Sequence, residues 1–178
     1  MYFRKKADIT KLQTLAIPAR PATPAFSIDY ADEQTSTTVS SAFEHAAGSN
    51  MSGAVTGTGA VVALTPGTDI YFRKKATASA FKSLVQHLDV PSRPAAPTYT
   101  ISFTEEQTAE TVPAGVEYSE SSDMSSASNG NGAAIPLTPG TDMYFRVKAT
   151  SGAFASTVFS LSVPERPASP SDIAVDYL

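Results

Sequence analysis

Carboxylates are the first residues in this chain whose type and spacing could do chemistry. Asp29, Asp32 and Glu33 fall close together, and Glu105 and Glu106 repeat the acidic pair later in the chain. Hard oxygen ligands crowded in one loop suit calcium. Asp69 or Asp142 would add to such a site if the loops meet. No Asp-x-Asp-x-Asp loop accompanies them. The plainer reading stands ahead of calcium: Glu33 or Glu106 pairs with Arg20, Arg93 or Arg166 and so fixes the angle of a joint. Calcium is the one cofactor these residues suggest, and no residue is assigned to a resident metal or to catalysis.

A second pattern is basic and aromatic. Phe72-Arg73-Lys74-Lys75 recurs as Phe145-Arg146-Val147-Lys148 and as Phe3-Arg4-Lys5-Lys6. On a strand, alternate side chains share a face. Tyr71, Arg73 and Lys75, with Tyr144, Arg146 and Lys148, therefore form a candidate ligand face for acidic glycans or a polyanionic surface. A solvated strand whose charges discourage edge pairing is the plainer alternative. The two histidines, His45 and His87, lack metal spacing, and Tyr118 and Ser160 replace them in the second copy. Both read as surface or loop residues. No serine or threonine lies in a nucleophile motif. The Gly-x-Gly at 57–59 and 130–132 has no strand-to-helix context and reads as a turn rather than a phosphate cradle.

Composition narrows the classes further. Cysteine is absent, so there are no disulfides, thiolate chemistry or cysteine metal sites. The net charge of −4 argues against nucleic acid as a partner. No apolar run is long enough for a membrane span. The basic start is not followed by the apolar stretch of a secretory signal.

The elements that must position these residues come in copies. Pro18–Val90 and Pro91–Val163 align without a gap, with 37 identities in 73 positions. Fixed-period self-similarity marks repeated modules. Residues 1–17 match the back end of a preceding copy, a few residues shorter than its counterparts. The expected division is a partial copy over 1–17, one β-sandwich repeat over 18–91 and a second over 92–164. Over 165–178 follow a linker and the first strand of another partial copy, where Ile173–Tyr177 resembles Ile28–Tyr30. Small units without staples have modest cores, so contacts with neighbouring repeats are an expected contribution.

Within a copy the pattern is β. Phe26–Tyr30 and Tyr99–Phe103 alternate apolar and polar residues, the period of a half-buried strand. Thr38-Val39, Val116–Ser119 and Ala60–Leu64 read as further strands. Ile70–Thr77 and Phe81–Val90 form two more, although Phe81–Val90 also admits a short helix. Ser128-Asn129-Gly130-Asn131-Gly132 and Thr56-Gly57-Thr58-Gly59 read as turns, with Asn-Gly supplying the positive φ that tight hairpins need. Thr65-Pro66-Gly67-Thr68 reads as a turn with proline at its second position and a left-handed glycine. The Pro-x-Arg-Pro-x-x-Pro segments Pro18–Pro24, Pro91–Pro97 and Pro164–Pro170 favour an extended, semi-rigid joint. The expected fold class is all-β: tandem small β-sandwich modules joined by short proline-rich linkers.

Leu137-Thr138-Pro139-Gly140-Thr141-Asp142-Met143-Tyr144-Phe145-Arg146-Val147-Lys148-Ala149 resembles the E–F corner and F strand of fibronectin type III modules. Val163-Pro164-Glu165-Arg166-Pro167 is similar to the junction between two such modules. The resemblance covers less than half of each copy. The family's corner tyrosine falls on Ile70 and Met143, one residue before Tyr71 and Tyr144. Its inward valine is Val147 here but Lys74 and Lys5 in the other copies. Tyr30 and Phe103 are the candidates for its strand-B tryptophan.

The resemblance implies fibronectin-type-III-like or immunoglobulin-like modules of bacterial cell-surface or secreted proteins. It implies a non-catalytic spacer or adhesion scaffold outside the cell. Its partners would be neighbouring repeats, glycans or extracellular protein ligands. The alternative is a carbohydrate-binding accessory module of a secreted hydrolase, with exposed rings at Tyr71, Tyr144 and Tyr118.

Overall fold

The computed structural model describes residues 2–3 and 13–169. Arg4, Lys5, Lys6 and the Ile173–Tyr177 match lie outside the described residues. Contacts divide the chain into two compact units, Met1–Ser92 and Arg93–Leu178. The described residues contain strands and turns and no helix.

In unit 1, β1 (Tyr2–Phe3) pairs antiparallel with β2 (Gln13–Thr14). Then follow β3 (Ile28–Asp29), β4 (Gln34–Thr35), β5 (Phe43–Ala46), β6 (Val55–Thr56), β7 (Ile70–Lys74) and β8 (Gln86–Leu88). In unit 2 these six recur as β9 (Ile101–Ser102), β10 (Gln107–Thr108), β11 (Val116–Ser119), β12 (Ser128–Asn129), β13 (Met143–Val147) and β14 (Phe159–Leu161). Every boundary is displaced by the same interval. The registers repeat too: Phe43 faces Lys74 as Val116 faces Val147.

Each unit holds two antiparallel layers. β3 pairs with β4, and the chain near 60–63 adds to β4 through bridges at Gln34–Ala63 and Val39–Ala60. The other sheet runs β6-β5-β7-β8, or β12-β11-β13-β14 in unit 2. The layers meet through apolar side chains, an arrangement consistent with a β-sandwich. In unit 2 the core gathers Tyr99, Val112, Ile135 and Leu137 from one layer against Val116, Phe145 and Leu161 from the other. Phe72 and Phe145, at the centre of β7 and β13, are fully buried.

Several expectations change. The ring packed on the central phenylalanine is Phe26 or Tyr99, with centroids 4.6 Å and 4.5 Å apart. Phe103, read as a tryptophan replacement, is 71% exposed. Phe103 shares the parity of Tyr99 but lies in the turn after β9, past the last paired residue, so alternation no longer carries its ring inward. Phe81–Val90 forms strand only at Gln86–Leu88 and is nowhere helical.

The expected positive φ within 56–59 and 128–132 falls on Gly59 and Gly132, at 88° and 85°, and not on Gly57 or Gly130. Gly57 and Gly130 lie where two chain segments cross closely. A Cβ on Gly130 would be driven into the carbonyl oxygens of Val112 and Pro113. Thr65–Thr68 does form the expected type II turn. Gly67 has φ 82°, and the Thr68 amide donates to the Thr65 carbonyl at 2.9 Å.

Buried hydroxyls tie the elements together, and nothing in the motif reading singled them out. The Thr35 hydroxyl donates to the Thr37 carbonyl and accepts from the Val62 amide. Thr108 does the same with Glu110 and Ile135. Ser83 and Ser156 hold the amides of Lys74 and Val147 at the end of β7 and β13. Satisfying those amides removes the cost of burying them unpaired. The available signal was the survival of the same hydroxyl residue at equivalent positions of both copies.

Candidate functional site

Two places gather the residues singled out above: the point where the proline-rich segment leaves each unit, and the outer face of the four-stranded sheet. At the first, the type II turn before β7 or β13 grips the departing chain. Asp69 Oδ1 accepts the Val90 amide at 3.0 Å, and Asp142 Oδ1 accepts the Val163 amide at 3.0 Å. The Gly67 amide donates to the carbonyls of Val90 and Pro91 at 3.1 and 3.0 Å. Gly140 repeats this with Val163 and Pro164. Glycine is needed here because φ is positive, 82° at both Gly67 and Gly140.

At the opposite end of each unit the arriving segment is held by its arginine. Arg20 Nη1 donates to the Lys82 carbonyl at 2.7 Å, and Arg93 Nη1 to the Ala155 carbonyl at 3.0 Å. Arg166 forms a two-pronged pair with Glu106 instead, at 2.8 and 3.0 Å. Both side chains of that pair are exposed, so it orients more than it stabilises. Hydrogen bonds to a main chain fix the course of the linker better than an exposed ion pair does.

The calcium candidates do not converge. Asp29 Oδ1 accepts the amides of Ala31 and Asp32 and so caps its own turn. Asp32 lies 3.5 Å from the Gln34 amide nitrogen, and Glu106 holds Arg166. Glu33 and Glu106 sit at positive φ, 53° and 51°, where their carbonyls accept the amides of Leu64 and Leu137. Glu105 is exposed. Among the described residues no three acidic or histidine side chains could hold a metal ion.

The outer face carries Tyr71, Arg73 and Lys75 together, and Tyr144, Arg146 and Lys148 in unit 2. Its arginines are ion-paired, and its lysines bond to neutral oxygens. Arg73 pairs with Glu44 directly across from it on β5, and Arg146 pairs with Glu117 on β11. Lys75 Nζ lies 3.2 Å from Thr56 Oγ1, and Lys148 Nζ 2.7 Å from Asn129 Oδ1. Tyr71 stacks on His87, centroids 4.8 Å apart and planes 10° from parallel. His87 Nε2 in turn lies 2.7 Å from Asp69 Oδ2. The His87 hydrogen bond, then the Val90 amide, hold the Asp69 carboxyl below its usual range.

Two rings lie elsewhere than expected. Tyr118, a candidate platform ring, is turned inward and packs against the Phe145 core. His45, read as a surface histidine, faces Phe72 across 5.9 Å, and burial lowers its pKa. Both occupy the same position of their strands, and that position points at the core.

Two further carboxyls are shifted. Glu110 is held below its usual range by the amide and hydroxyl of Thr100. Asp123 is lowered to about 2 by Ser125 and Ser121, which bond its carboxylate within one loop. Each shift reports a turn or strand end being pinned. Among the described residues no helix is long and apolar enough to cross a membrane. No protein-family model and no curated protein matches this chain.

Proposed function

We propose that this chain is a non-catalytic spacer, built of fibronectin-type-III-like modules in tandem, from an extracellular or cell-surface protein of bacterial type. One observation carries the reading. The same clamps recur at equivalent places of both copies, Asp69 and Asp142 on the departing chain and Arg20 and Arg93 on the arriving chain. A protein that repeats its linker-holding bonds while varying its surface residues commits its sequence to how modules are joined. Six named strands and the bridged segment near 60–63 make seven per repeat, the number in a constant-type immunoglobulin sandwich.

The pairing of both arginines with glutamates on adjacent strands weighs against a polyanion site on the outer face. The inward turn of Tyr118 takes one ring from the carbohydrate-binding alternative.

The test combines shape and binding. Small-angle scattering on chains of increasing copy number should show maximum dimension rising in equal steps per copy. A glycan and matrix-protein screen, with and without calcium, should show at most weak binding. Tight glycan capture by the two-copy chain would displace the spacer reading in favour of the carbohydrate-binding one.

A further inference from the structure

The departing end of unit 2 carries an apolar groove of about 270 Å³. Its walls include Ile101, Phe103, Leu137, Pro139, Val163 and Pro167. Phe103 is 71% exposed there, an unusual state for a phenylalanine in a small unit. Of the charges at the rim, Glu106 and Arg166 neutralise one another, and Glu165 adds one further carboxylate.

We infer that this groove is the docking surface for the leading end of a further copy of the same repeat, carried by the same chain beyond Pro167. The inference rests on the tandem-array reading above.

Three observations choose this occupant. Val163, Pro164 and Pro167 line the groove, so whatever follows is tethered to its wall. The next residues, Ala168-Ser169-Pro170, match Ala95-Ala96-Pro97 at the front of the preceding copy. The leading end of a repeat also offers a complementary knob. On unit 1, Arg20 binds the Lys82 carbonyl and so brings the arriving segment beside the 78–82 loop. Phe81 protrudes from that loop next to Pro18, 46% exposed, while its equivalent Phe154 is fully buried. A phenyl group and a proline on one end, and an apolar groove with an uncovered phenyl ring on the other, are mutually suited for desolvation.

The chain has no tryptophan, so Phe103→Trp adds a single indole at an exposed site. It is measured in the full chain and in an extended chain of residues 1–164 followed in frame by residues 19–91, the copy that carries the protruding phenylalanine. Docking predicts a blue-shifted emission and an acrylamide quenching constant lowered by about half or more in the extended chain, as the ring leaves water. Phe81→Ser in the added copy should restore the quenching. Fluorine NMR of 4-fluorophenylalanine at position 103 gives the same comparison without enlarging the ring.

Unchanged quenching and fluorine shift, with amide spectra showing the added copy folded, would overturn the docking. The spacer reading would survive that result as beads on linkers, since scattering would still show equal steps per copy. Unequal steps with protected fluorescence would instead sink the spacer reading and leave the groove contact standing.

Discussion

Thr108 carries more of unit 2 than its size suggests. Its hydroxyl has no solvent contact, donates to Glu110 and accepts from the Ile135 amide. Thr108→Val keeps the shape and leaves both partners unpaired, which should cost about 1–3 kcal/mol in urea unfolding. Thr108→Ser keeps both bonds and loses a methyl, about 1 kcal/mol. A valine variant as stable as the serine one would refute the role. Asp123 makes a pH prediction. Its folded pKa of about 2 lies below the unfolded value of about 3.9. A depressed carboxyl stabilises above its unfolded pKa and loses that contribution as pH falls through its folded pKa. Stability should therefore drop between about pH 4 and pH 2, and Asp123→Asn should flatten that part of the melting-temperature profile. Identical profiles for the two proteins would contradict the assignment. Asp123 was invisible in the sequence as a shifted group because the shift arises from Ser121 and Ser125 wrapping back onto it.

Elements in this fold are short, and their crossings matter more than their length. β12 ends at Asn129, and Gly130 then passes beneath the chain at Val112 and Pro113. Gly130→Ala should cost about 2 kcal/mol or more through forced displacement of backbone. Gly152→Ala, with nothing within 4 Å of the added Cβ, should change stability by less than about 0.5 kcal/mol. Chemical denaturation of the two variants checks the contrast, and equal losses would argue against close crossing as the reason for glycine. Period-2 alternation located β3, β7 and their copies, because a half-buried strand must alternate. It left open which ring of Phe26–Tyr30 meets the central phenylalanine: Phe26 and Tyr30 share a parity, and only the tertiary structure shows Phe26 packed on Phe72. The type II turn at Thr65–Thr68 was legible because proline and glycine restrict φ locally.

The two units share a topology and differ in how fully they bury it. Tyr99, Val116, Met143 and Leu161 are buried in unit 2, whereas their counterparts Phe26, Phe43, Ile70 and Leu88 are only partly so. Unit 1 also places exposed Lys74 where unit 2 packs Val147 against its core. More apolar area removed from water means greater stability. Unit 2 should therefore unfold at the higher denaturant concentration, by amide NMR resolved for each unit in the intact chain. Coincident midpoints, or unit 1 surviving longer, would count against that difference in burial. By itself the sequence determined the repeat, its fixed period, the all-β character and the turns, because these follow from identity, alternation and the φ preferences of proline and glycine. Only tertiary structure decided which charges were spoken for. Arg73 on β7 meets Glu44 on β5, and Asp142 meets the Val163 amide beyond β14, because strand pairing brings residues far apart in the chain to bonding distance. No local pattern encodes that register, so the arginines of a face that read as free basic charge became paired, and a turn aspartate became the hold on the linker.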